Sequence, residues 1–159
     1  MDDVERTGGM AMPADQRWQS IRRAVARGRV TMLATTCSRI AGNTIDKGDV
    51  LGTARFAGVQ AAKSAASLLP LCEPVLVRST VIEFNLVDDA IDSEVTVESC
   101  GDVAVEMQAL SGAGAAALTL YDMCKSADRT MTIGPVALVE RSGDPLTDWQ
   151  WGAIGSDAT

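Results

Sequence analysis

Val103-Ala104-Val105-Glu106-Met107-Gln108 opens a stretch that continues through Ala109-Leu110-Ser111-Gly112-Ala113-Gly114-Ala115-Ala116-Ala117-Leu118-Thr119-Leu120-Tyr121 and closes on Asp122-Met123-Cys124-Lys125. Val103 to Met107 reads as a short strand, and the alanine- and glycine-rich run from about Ala109 to Ala127 reads as a helix. Such small residues let a helix approach its neighbours closely. At its end, Asp122 and Lys125 are three residues apart and share one helix face. A carboxylate and an amine thus project together, and a buried Lys beside an Asp is one way to prepare proton transfer.

Outward from this segment, period-two patterning from Arg22 to Met32 predicts a strand, although Ile21, Val25 and the arginines also allow an amphipathic helix. A short segment then ends near Gly42 and Asn43. Asp49 is placed to cap a helix from about Val50 to Leu69, which Pro70 ends. Val75 to Val87 and Glu94 to Glu98 alternate as strands, with Asp88, Asp89 and Asp92 marking the turn. Ile133 to Val139 reads as the last strand. Helices interspersed with antiparallel strands predict an α+β sandwich, its sheet covered by helices. Residues 1–16 read as a flexible leader, 17–143 as a single domain and 144–159 as a tail, in which Trp149 and Trp151 are expected to cap the core or a subunit contact.

At 159 residues the chain is long enough for one domain with a real core. It is 47% hydrophobic but only 4% aromatic, so Ala, Val and Leu must build that core. A net charge of -7 and a pI near 4.5 argue against a nucleic-acid surface, yet leave room for a nucleotide held by a few local cations. The chain has no histidine, which removes the commonest general base and metal ligand. Cys37, Cys72, Cys100 and Cys124 are scattered without a CxxC pair, as expected of reduced thiols in the cytoplasm. No signal peptide and no membrane-spanning run is expected. No metal site can be drawn, and no cofactor is expected; any Mg²⁺ would arrive on the phosphates of a substrate.

Several residues carry both a chemical and a plain reading. Lys47 precedes Gly48-Asp49 at a helix start, where free backbone N–H groups suit phosphate; an exposed loop Lys is the plainer account. Asp122 and Lys125 also fit a surface pair worth about 0.2–0.5 kcal/mol. Glu73, between Cys72 and Pro74, reads by default as a solvated loop carboxylate, and Glu106, placed in a strand, as a solvent-facing one.

Taken in order, Lys47-Gly48-Asp49-Val50, Thr53-Ala54-Arg55, Ala57-Gly58-Val59-Gln60-Ala61-Ala62-Lys63, Leu69-Pro70-Leu71-Cys72, Val105-Glu106-Met107, Ala115 to Lys125 and Ile133-Gly134-Pro135-Val136 resemble one family. It is the molybdenum cofactor biosynthesis protein C family, the cyclic pyranopterin monophosphate synthases. The resemblance runs from about Arg22 to Gly143. It implies a ferredoxin-like fold, a hexamer built as a trimer of dimers, and active sites between subunits. It further implies a lyase that rearranges a cyclised dihydro-GTP to cyclic pyranopterin monophosphate with loss of pyrophosphate. Lys47, Asp122 and Lys125 stand at the family's catalytic positions, with lysines of depressed pKa expected to shuttle protons. Arg22, Cys72, Glu73, Glu106, Met107 and Gln108 are expected to bind substrate.

The chain also departs from the family. Glu73 replaces a His, Asp102 stands where a Lys is usual, Gln108 replaces a Glu, and Gly143-Asp144-Pro145-Leu146-Thr147 replaces a Gly-Gly-Lys-Ser-Gly stretch. Cations are thus lost around a site meant for a polyanion, at about 1.5–3 kcal/mol of binding per phosphate contact. Two alternatives follow: a paralogue acting on another purine-derived nucleotide, or a silent scaffold that regulates an active relative.

Overall fold

A computed structural model describes residues 20–151; the expected leader, residues 1–16, lies outside them. Among the described residues, five antiparallel strands form one sheet in the order β2-β3-β1-β4-β5. They are β1 (Arg23–Thr31), β2 (Val77–Val87), β3 (Ala90–Ser99), β4 (Thr132–Ser142) and β5 (Trp149–Gln150). Four helices join them: α1 (Ala34–Ala41), α2 (Val50–Lys63), α3 (Ala65–Leu68) and α4 (Glu106–Cys124). The expected α+β arrangement is present, and it follows the β-α-β-β-α-β order of ferredoxin-like folds.

The central strand β1 shows why the sheet has one dry face. Ala24, Ala26 and Val30 are buried with Val95 and Val97 of β3 and Ala109, Ala113 and Ala117 of α4. On the opposite face Arg27 pairs with Glu94 at 2.7 Å, and Arg29 grips Asp92 at 2.6 and 2.8 Å. The alternation that predicted a strand is therefore an alternation of helix-facing and open faces. A core with so few aromatics closes by bringing helices together. Gly58 of α2 faces Gly112 of α4 so closely that a Cβ on Gly58 would sit 3.0 Å from the Gly112 carbonyl oxygen.

Local sequence signals hold at α2. The Asp49 side chain accepts from the Gly52 N–H at 2.9 Å, the expected N-cap. The helix is shorter than expected, because the chain breaks at Ser64, whose hydroxyl bonds back to the Gln60 carbonyl, before the single turn of α3. Other expectations are corrected. Val103 to Met107 is not a strand: Val103 to Val105 is irregular, with Val105 buried, and α4 starts at Glu106. An acidic residue in a first turn complements the helix dipole, which favours that start. Asp92 lies within β3 opposite Arg29, not in the turn. The unforeseen α1 has no side-chain cap of its own. Its Leu33 N–H is instead taken by Asp128, 95 residues away, at 2.8 Å. The sheet also reaches into the segment read as a tail, where Trp149 and Gln150 pair with Arg141 and Glu140.

Candidate active site

Lys47 sits on a tight turn fixed at both ends. Ile45 is buried before it, Gly48 takes a positive φ of 96° immediately after it, and Asp49 is locked by its capping bonds. Only a residue without a Cβ enters that backbone region freely. The turn aims the ammonium at the C-terminal end of α4. Lys47 Nζ donates to the main-chain carbonyl of Asp122 at 2.7 Å and lies 3.6 Å from its carboxylate. Lys125 Nζ reaches the other carboxylate oxygen at 2.7 Å. Two amines 78 positions apart in sequence thus share one acid.

The electrostatics differ from the expectation in one respect. The amines and the acid are exposed, with Asp122 62% accessible and Lys125 54%. Lys125, hydrogen-bonded to Asp122 and attracted by its charge, is raised above the ordinary lysine value. Asp122 is lowered, first by the hydrogen bond from Lys125, then by the charges of Lys125 and Lys47. The expected depression of a buried lysine is absent at Lys125, because hydration and an opposite charge both favour the ammonium.

The remaining predicted residues gather at the other end of α4. Glu106 begins the helix and pairs with Arg141 at 2.8 Å. It is neither in a strand nor solvent-facing, which corrects the plain reading. Gln108 is buried and donates to Cys72 Sγ at 3.5 Å, whereas Met107 is exposed. Glu73 is exposed in the loop before β2. Arg22 is ion-paired with Asp102 and lies 3.3 Å from Asp144. From Glu106 to Asp122 the helix rises about 24 Å, at about 1.5 Å per residue. The structure therefore brings Lys47, Asp122 and Lys125 together and holds the six other predicted residues apart from them.

Arg141 and Asp128 had no local signal. Arg141 lines a small cavity beside Arg22 and Arg23, yet in sequence it looks like a strand-end arginine. Asp128 is buried and accepts from Leu33 and Thr130 N–H groups at 2.8 Å and from the Thr130 hydroxyl at 2.7 Å. Burial pushes its carboxyl up, but those bonds outweigh burial and hold it below the usual range. A broad concavity of about 830 Å³ on the open sheet face, lined by Arg27, Arg29, Glu83, Asp92 and Glu94 among others, contains none of the predicted residues. Among the described residues, no group of acidic or thiol side chains is arranged to hold a metal ion, and no helix is long and apolar enough to cross a membrane.

Fold and triangle together define a class: an α+β protein in which two amines meet one carboxylate, in a chain without histidine. Comparison with known proteins makes this specific. Residues 13–144 match the MoaC family, and the chain belongs to it. It is 47% identical over 132 residues to the cyclic pyranopterin monophosphate synthase of Roseiflexus sp. (strain RS-1), covering 82% of this chain and 84% of that protein. Over 131 residues it is 44% identical to the synthase of Natranaerobius thermophilus, covering 81% and 82% of the two chains. With the Heliobacterium modesticaldum synthase it shares 40% over 141 residues, 87% and 89% of the two.

Proposed function

We propose that this chain is a cyclic pyranopterin monophosphate synthase of molybdenum cofactor biosynthesis, a lyase that rearranges a cyclised dihydro-GTP and releases pyrophosphate. The observation that carries the reading is the Lys47–Asp122–Lys125 triangle, met from two distant segments at 2.7 and 3.6 Å. Opening and rebuilding a purine ring needs protons delivered and removed at several atoms. Asp122, held ionised between two ammonium groups, sets a proton acceptor beside two separate proton donors. The same ammonium groups offset charge as pyrophosphate departs. The relatives' name supports this reaction over a different purine-derived substrate or a silent scaffold.

The ligand-binding expectation also bears on assembly. A substrate that touches both the triangle and the Arg22–Glu106–Gln108 end must bridge about 24 Å within one subunit. Two copies that set one end of α4 against the opposite end in a neighbour would close that gap. We therefore read the working form as the hexameric trimer of dimers, acting in the cytoplasm, with Lys47, Asp122 and Lys125 catalytic and Arg22, Cys72, Glu73, Glu106, Met107 and Gln108 on the substrate side. The test supplies cyclised dihydro-GTP and measures pyrophosphate and pterin. Both appear with the wild-type chain and neither with Asp122→Ala. Neither product from a folded wild-type chain, alongside a working relative, overturns the assignment.

A further inference from the structure

Arg22, Arg23 and Arg141 converge on a cavity of about 100 Å³ at the N-terminal end of α4, a size that admits one tetrahedral anionic group and not a nucleoside. Four carboxylates line the same space: Asp102, Glu106, Asp144 and Asp148. They are not placed alike. Glu106 holds Arg141, and Asp148 accepts from the Asp144 N–H at 2.8 Å. Asp102 and Asp144 both close on Arg22, from the loop before α4 and the turn after β4. Arg23 is held by Glu140. Despite two acidic neighbours, Arg22 Nη1 is buried and makes no hydrogen bond among the described residues; Asp144 at 3.3 Å satisfies its charge but not its donor. An Arg side chain only 17% exposed with an idle donor is set up for an acceptor that reaches both of its nitrogens. The side chain of Val105, the N-cap of α4, makes no capping bond, so the first-turn N–H groups and the helix dipole favour negative charge here too.

We propose that Asp102 and Asp144 are built-in competitors for the phosphoryl group at Arg22, displaced when the ligand enters. The inference rests on the synthase reading, which puts Arg22 on the substrate side, and assigns the two acids a role in specificity. A bidentate phosphoryl group offers oxygens to both guanidinium nitrogens, whereas the two carboxylates approach one nitrogen each, from separate segments. The competition lowers affinity for highly charged anions and makes the chain selective for a ligand able to break both pairs. The acids thereby determine specificity, and they need not touch the reacting atoms.

The probe is inorganic pyrophosphate, titrated calorimetrically at low salt without turnover. Asp102→Asn and Asp144→Asn each keep the side-chain shape and remove one competing charge. Each tightens pyrophosphate binding about threefold to tenfold, and the double variant tightens it further. The gain disappears in an Arg22→Gln background, and Glu83→Gln, a distant change of equal charge, leaves affinity unchanged. Asp144 also accepts from the Leu146 N–H, so if Asp144→Asn fails to fold, Asp102→Asn decides alone. Unchanged or weaker binding in folded Asp102→Asn overturns the proposal. So does a gain that survives Arg22→Gln, or an equal gain from Glu83→Gln. A tightening in a chain that releases no pyrophosphate from cyclised dihydro-GTP keeps the competition by the two acids and removes the synthase reading.

Discussion

The two ends of α4 handle charge in opposite ways. At the C-terminal end, two ammonium groups share one exposed carboxylate, with water reaching all three. At the N-terminal end, each of three arginines is matched by an acid across loops and strands, and the space between them is small. The first arrangement leaves its charged groups open to water and to a ligand. The second presents almost no uncommitted charge and yields to a ligand only by exchange.

That contrast predicts a steep functional asymmetry, and the largest effects belong to the C-terminal end. Lys47→Ala, Asp122→Ala and Lys125→Ala each lower kcat for pyrophosphate release by about 10²- to 10⁴-fold, the range typical of lost acid–base catalysis. Their thermal unfolding stays close to wild type, because the groups are exposed and their pairs weak in water. Steady-state kinetics with a melting curve on each variant checks both halves. A variant with near-normal kcat would erase the distinction between the ends.

Stability should show the reverse distribution, with a buried acid behind the exposed triangle carrying more than the triangle itself. Asp128 follows Lys125 by three residues and fastens the end of α4 to the start of α1. Asp128→Ala strands the Leu33 and Thr130 N–H groups and is expected to cost about 2 kcal/mol in chemical denaturation. Asp128→Asn retains one acceptor oxygen and costs less. At the opposite end, the Glu106–Arg141 pair is partly exposed, and a double-mutant cycle with Glu106→Gln and Arg141→Met should return a coupling of about 0.5–1 kcal/mol. A coupling near zero would show that this arginine is less committed than its geometry implies.

The same contrast explains what was legible in the sequence. Asp49, Gly48 and Lys47 form a local unit, and i,i+3 spacing places Asp122 beside Lys125, so each half of the triangle is written within a few residues. That the halves meet came from family resemblance and not from spacing. The α1 helix was hidden because its cap comes from Asp128, and Val103 to Val105 mimics a strand because alternation over three residues does not distinguish a buried hook from a ladder. Arg22 is expected at the substrate, but its two acidic partners have no local signal, since Asp102 and Asp144 lie 80 and more residues away. The lysine expectation failed at Lys125 for a different reason: burial was assumed, and one chain leaves that amine in water.

The finest test of the contrast is the pH dependence of stability at the exposed end. Asp122 is lowered in the folded chain, so it contributes stability above its unfolded pKa and loses it as pH falls through the folded value. Lys125 is raised, so its contribution is complete below the unfolded lysine value and fades as pH rises through the folded one. Between those limits the pair is intact. Lys125→Met should therefore lower the melting temperature slightly across neutral pH. Its difference from wild type should shrink both in acid, where Asp122 is protonated, and in strong base, where Lys125 is neutral. The effect is small because both groups are hydrated, and melting curves from acid to strongly alkaline pH measure it. If the Lys125→Met difference stays constant through both limits, the pair is not the source of stability. The open end of α4 would then be held by packing of Met123 and Cys124 into the core, both of which are buried beneath it.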